Sequence, residues 1–176
     1  EVVYDEGGTF VDHLLGKVKV RSAAVAIAEK GSAKVYLTAR THGGRAANPP
    51  KGTPIARLSD FVHYVEHHPF FKKRVPEEIL LMYEKSAPYM KGIDRLIYGN
   101  RCILKHFGRF YLEPSMLGTT IAFTITEGGS AVNVIPEQAV ITANVRVNSV
   151  ESLSAALKKL RRIAKKMDIE VSCDGD

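Results

Sequence analysis

The chain has 176 residues, 45% hydrophobic and 25% charged, with a formal net charge of +6. That balance is ordinary for a globular chain with a real core, and no apolar run of about 18 residues is present to span a membrane as a helix. Two cysteines, Cys102 and Cys173, are too few for a disulfide framework, so a reducing, cytoplasmic setting is expected.

The chain opens Glu1-Val2-Val3, with neither Met nor a leader, as expected of an internal fragment. Val2-Val3-Tyr4 reads as a strand running into a turn at Asp5-Glu6-Gly7-Gly8. Residues 9–21 show no period and read as a connection. Residues 23–40 read as a hairpin: Val25 and Ile27 alternate with alanines, and Glu29-Lys30-Gly31-Ser32 supplies the turn. Val35, Leu37 and Ala39 then alternate with polar residues, the pattern of a half-buried strand. Gly43-Gly44 to Gly52 reads as a loop. Thr53-Pro54 opens a helix, with Thr as N-cap and Pro in the first turn. Its apolar stripe is Ile55, Leu58, Phe61, Val62 and Val65, and it stops near His68-Pro69.

Residues 70–115 read as a helical excursion, with one helix from Pro76 and another between Ile93 and Phe107. Thr119–Thr126 alternates, placing Ile121, Phe123 and Ile125 on one face, and Gly128-Gly129 breaks it. Ala139–Val147 is the next strand. Asn148-Ser149 is expected to cap a helix with the stripe Val150, Leu153, Leu157, Leu160, Ile163, Ala164 and Met167. Ile169–Cys173 closes as a strand. The order β-β-α, excursion, β-β-α-β predicts an α+β fold. It is a ferredoxin-like, four-stranded antiparallel sheet with two helices on one face and a helical insertion.

Few residues stand out chemically. Asp5 and Glu6 close a strand beside glycines, where a carboxylate serves either a turn or a metal. His63 and His67 have the i, i+4 spacing of a helical chelate but lie opposite the apolar stripe with no third ligand, so a solvated face is expected. Arg146 shares a polar strand face with Thr142 and Asn144, where a guanidinium can bind a carboxylate or simply face solvent. The cluster Lys158, Lys159, Arg161, Arg162, Lys165 and Lys166 reads as the solvated face and C-terminal end of a helix, not as a nucleic-acid surface. No nucleophile elbow, Walker loop or dinucleotide fingerprint is present.

Taken in order, Asp5-Glu6-Gly7-Gly8, Val25–Gly31, Gly43-Gly44-Arg45-Ala46-Ala47-Asn48-Pro49-Pro50, Thr119–Thr124, Glu127–Pro136 and Asn144-Val145-Arg146 resemble metallopeptidase family twenty, the aminoacylase, carnosinase and desuccinylase type. The resemblance is strongest to the branch of carboxypeptidase S and the N-fatty-acyl amino acid hydrolases, and weakest over residues 70–115. It implies a remnant of a zinc catalytic domain at 1–21 and a lid, or dimerisation domain, at 22–176. It also implies a parent enzyme with two zinc ions, which cleaves an amide bond next to a free carboxylate in a dipeptide, a C-terminal residue or an N-acyl amino acid.

By the same resemblance, Asp5 stands where the family places a zinc ligand, and Asn133 and Arg146 stand where lid residues hold the substrate carboxylate. Arg45 stands where the family has the histidine that reaches the partner's active site and donates to the oxyanion. The family's other zinc ligands and its general base have no counterpart here, so the fragment alone is expected to be inactive and to bind no zinc. The implied partner is a second copy. It would dimerise through a strand and a helix, taken to be Lys34–Arg40 as a sheet edge and the helix Thr53–His67. No nucleic-acid or membrane partner is expected. The Gly43-Gly44-Arg45 departure leaves a degenerate, non-catalytic family member as the alternative, and a stand-alone ferredoxin-like binding module is another.

Overall fold

In the computed structural model, residues 8–25, 29–68, 70–71 and 73–174 are described. They fall into two compact units, one drawn from residues 1–29 and Lys73–Gly118, the other from Lys30–Lys72 and Thr119–Asp176.

The larger unit is organised by strand β3 (Gly31–Arg40). Its odd residues Ala33, Val35, Leu37 and Ala39 are buried, while the even ones face away, because side chains alternate along a strand. β3 pairs antiparallel with β7 (Gln138–Val147) on one side and β8 (Ile169–Cys173) on the other. β5 (Thr120–Gly128) adds beyond β7, so the sheet order is β5-β7-β3-β8. With helix α1 (Pro54–His67) after β3 and helix α5 (Leu153–Ala164) after β7, this is the predicted ferredoxin-like arrangement. Leu58, Phe61 and Val65 of α1 share one core with Leu157, Leu160 and Ile163 of α5 and the odd residues of β3. Both helices therefore cover the same face and leave the other open. Arg57 ties α1 to the sheet: Nη1 donates to the Asp168 carbonyl at 2.8 Å, and Nη2 donates to the Arg40 carbonyl. Thr53 caps α1, accepting from the Ala56 N–H at 3.4 Å.

Four expectations change. The strand Lys34–Arg40 is central and not an edge, since it carries a partner on both sides. Among the described residues, the hairpin over 23–40 does not form either. β2 (Ser22–Val25) instead pairs with β1 (Gly8–Val11), within the stretch read as an unpatterned connection. In β5 a bulge between Phe123 and Ile125 shifts the register. One extra residue turns every later side chain to the opposite face, so Ile121 and Phe123 pack on the core while Ile125 is 52% exposed. Lastly, α5 starts at Leu153, capped by Ser152, whose Oγ accepts from the Ala155 N–H at 3.2 Å. Asn148 forms a turn instead, its Oδ1 accepting from the Val150 N–H at 3.2 Å. Ser152→Ala is expected to cost about 1 kcal/mol, read as a lower urea midpoint. An unchanged midpoint would show that the cap contributes nothing.

The smaller unit holds the excursion: α2 (Glu77–Ser86), α3 (Ile93–Tyr98) and α4 (Arg101–Phe107). The second predicted helix divides at Gly99-Asn100, where Asn100 caps α4 by accepting from the Ile103 N–H at 3.1 Å. Val18 packs with Leu80, Tyr83, Tyr98, Leu104 and Leu117 in its core. Burial there, with Tyr98 close by, pushes the Tyr83 hydroxyl up to about 12.

Candidate functional site

Where β3 ends, the chain must leave the sheet sharply. Gly43 does this with φ +69°, and a Cβ there would lie 2.9 Å from Glu137 Cγ and 3.2 Å from the Ile135 carbonyl. Only glycine suits that close, left-handed position. The following strand β4 (Gly44–Arg45) is met by β6 (Val134–Ile135), which pairs Arg45 with Val134. The Ala46 N–H donates to the Asn133 carbonyl at 3.1 Å. Two residues 88 positions apart in sequence, Arg45 and Asn133, thus become neighbours in one exposed loop cluster. Gly128 shapes the other half of the cluster. Its φ is +150°, and a Cβ would meet that of Ala139 at 2.7 Å.

Beside the cluster lies an open cavity of about 460 Å³, lined in part by His42, Gly43, Gly44, Ser130 and Glu137. The Thr41 N–H donates to the Glu137 carbonyl at 2.7 Å and fixes its rim. His42 and Glu137 carried no sequence signal of a shared site. Their only cue is adjacency to the Gly-Gly and Ile-Pro pairs.

Arg146 lies elsewhere. It is exposed on the open face of β7, level with Ser32 of β3 and Thr120 of β5. Its Nε donates to Asn144 Oδ1 at 3.1 Å, and Asn144 Nδ2 donates to Ser32 Oγ at 3.3 Å. That small network ties the Arg146 side chain to its neighbours on the same face. Eight residues of β7, about 27 Å of rise, separate Arg146 from Gln138 at the β4–β6 end. The structure therefore brings Arg45 and Asn133 together at the β4–β6 bridge and sets Arg146 near the end of β7 farthest from it.

Asp5 lies outside the described residues. Among the described residues, no three of His, Cys, Asp and Glu come together to hold a metal ion. His63 and His67 stack, with ring centroids 4.1 Å apart on the exposed side of α1. Cys102 is exposed, Cys173 is buried, and neither forms a disulfide. No helix of the described residues is long and apolar enough to cross a membrane.

The family model described as peptidase dimerisation domain matches residues 27–171. An N-fatty-acyl-amino acid synthase/hydrolase of Bos taurus is 27% identical over 166 residues, which cover 92% of this chain and 33% of that protein. An uncharacterised carboxypeptidase of Schizosaccharomyces pombe is 31% identical over 159 residues, covering 86% and 26%. Carboxypeptidase S of Saccharomyces cerevisiae is 25% identical over 165 residues, covering 85% and 29%. The chain spans about a third of the length of these curated relatives.

Proposed function

The chain belongs to the peptidase dimerisation domains of metallopeptidase family twenty, and from that premise we propose that it is the lid of a homodimeric amidohydrolase in which each substrate site is completed by both lids. The observation that carries this reading is the distance between its candidate residues. The resemblance assigns Asn133 and Arg146 to one substrate carboxylate, yet Asn133 adjoins the β4–β6 bridge, ahead of the Gln138 end of β7, and Arg146 lies near the other end of that strand. One lid cannot close both onto a group a few ångströms across. A two-fold axis can, because it brings the Arg45–Asn133 end of one subunit toward the Arg146 end of its partner.

The substrate in this reading has an amide bond next to a free carboxylate, with an N-acyl amino acid favoured by the name of the bovine relative. Arg146 would take the carboxylate with its bidentate fork. Asn133 would add a donor, and Arg45 would face the developing oxyanion. The two zinc ions and their ligands, Asp5 excepted, would come from the rest of the parent protein. Two unpaired thiols favour a reducing compartment.

The surface proposed for association is the β5 edge with α1 behind it. Of the two sheet edges, β8 is short and carries Glu170, while β5 runs nine residues and is uncharged from Thr120 to Thr126. An unblunted edge of that length is a template for pairing. α1 sits close behind it, with Phe61 and Phe123 edge-to-face at 6.4 Å. Sedimentation velocity tests this. The chain is expected to be a dimer at micromolar concentration. Ile125→Lys should weaken it at least about tenfold, because near a two-fold axis the new charge opposes its own copy. Ile125 is half-exposed, so the fold should survive. A monomer at high micromolar concentration, or an unaffected Ile125→Lys dimer, would refute this surface.

A further inference from the structure

Four large apolar side chains in the smaller unit stand more than half exposed within 18 residues: Ile93 69%, Leu96 69%, Phe107 55% and Phe110 67%. They come in two pairs. Ile93 and Leu96 are one turn apart on α3 and share a face. Phe107 ends α4, and Phe110 follows one turn later in a short 3₁₀ segment, where residues three apart line up. Only Gly99 and Asn100 separate the two helices.

Cations are interleaved with them. Lys91, Arg95, Lys105 and Arg109 are all exposed, and the Arg109 guanidinium lies 4.6 Å from the centroid of the Phe110 ring. Between Lys91 and Arg109 the single acidic residue is Asp94, which already accepts from Lys17 Nζ at 3.1 Å. Arg101 is likewise neutralised by Glu77 and Glu84. The remaining cations have no acidic partner among the described residues. A monomer surface that exposes isolated apolar residues is unremarkable, but four exposed aromatic and aliphatic tips alternating along the chain with exposed Lys and Arg form a specific combination. The tips suit the acyl boundary of a bilayer, and the cations suit anionic headgroups.

We propose that the α3–α4 segment, from Tyr89 to Tyr111, is a peripheral docking surface for anionic lipid. A protein partner would need acidic groups placed opposite each cation, whereas an anionic bilayer offers both complements without further design. No spanning segment is involved, but a peripheral contact of this kind departs from the expectation of no membrane partner. It also suits an enzyme whose substrate carries a long acyl chain, although it does not depend on that substrate.

Vesicle flotation tests it, with equal parts phosphatidylserine and phosphatidylcholine against phosphatidylcholine alone. The chain should float with the anionic vesicles and stay in solution with the neutral ones. Leu96→Ser with Phe110→Ser should reduce binding at least about tenfold, with the circular dichroism spectrum unchanged. Lys105→Gln should reduce it roughly fivefold, as expected for one basic residue near an anionic surface. Absence of binding, equal binding to neutral vesicles, or binding unaffected by these substitutions would overturn the proposal. So would loss of the dimer in Leu96→Ser, which would make this face a contact between copies.

Discussion

Arg146→Ala in the full-length protein is expected to lower kcat/KM by about a hundredfold or more. Removing one partner of a close charge pair costs about 2–5 kcal/mol, much of it from the charge left behind unpaired. The substrate carboxylate would be that charge. The effect should fall mainly on KM if the guanidinium holds ground state and transition state equally, and on kcat if it positions the amide for attack. Arg146 is exposed and outside the core, so thermal stability should hardly change. Arg146→Lys should recover only part of the loss, because an ammonium keeps the charge but not the planar fork. An unaltered kcat/KM in Arg146→Ala would reduce Arg146 to a surface residue that orders Asn144 and nothing more.

The second large effect is expected at Arg45. A histidine at this position would place a short, rigid donor near the oxyanion that forms as water attacks the amide carbonyl. Losing one such donor typically costs about 100- to 1,000-fold in rate. Arg45 can donate too, but its longer side chain is exposed on a two-residue strand that pairs, among the described residues, with the equally short β6. Oxyanion donors must lie within about 3 Å of the developing charge, which a mobile guanidinium meets less often. Arg45→His in the full-length protein should therefore raise kcat/KM on N-acyl amino acids. If the wild type is already fast and Arg45→His slows it, the arginine is the working donor. If neither protein turns over any amide, the degenerate-member alternative gains.

How far these residues could be read beforehand depended on how local their structure is. β3, β7, β8 and both long helices follow from period alone, because Val35, Leu37 and Ala39, or Leu157, Leu160 and Ile163, repeat at the spacing of the face they bury. Which strand would be central was not legible, since alternation records one buried face and says nothing of neighbours on either side. The β1–β2 pair was missed because Val25 and Ile27 alternate as readily toward β3 as toward Gly8–Val11. Ile125 went to the wrong face because a bulge is a pairing event between β5 and β7, invisible in β5 alone. At the site, the polar face carrying Arg146 was visible from alternation. The adjacency of Arg45 and Asn133 was not, because it rests on a two-residue bridge between segments almost ninety residues apart.

Subunit mixing tests the shared site most directly. Asn133→Ala and Arg146→Ala would each be prepared as full-length protein, dissociated, mixed in equal amounts and reassociated. Each homodimer lacks a substrate contact in both of its sites. In the mixed dimer one site carries both defects and the other has Asn133 from one subunit and Arg146 from its partner. Random reassociation makes about half of the dimers mixed, so about a quarter of all sites should regain wild-type activity. Recovery near that level is the expected result. Activity no higher than the mean of the two separate variants, with subunit exchange verified, would show that Asn133 and Arg146 serve the same subunit's site and would contradict the account.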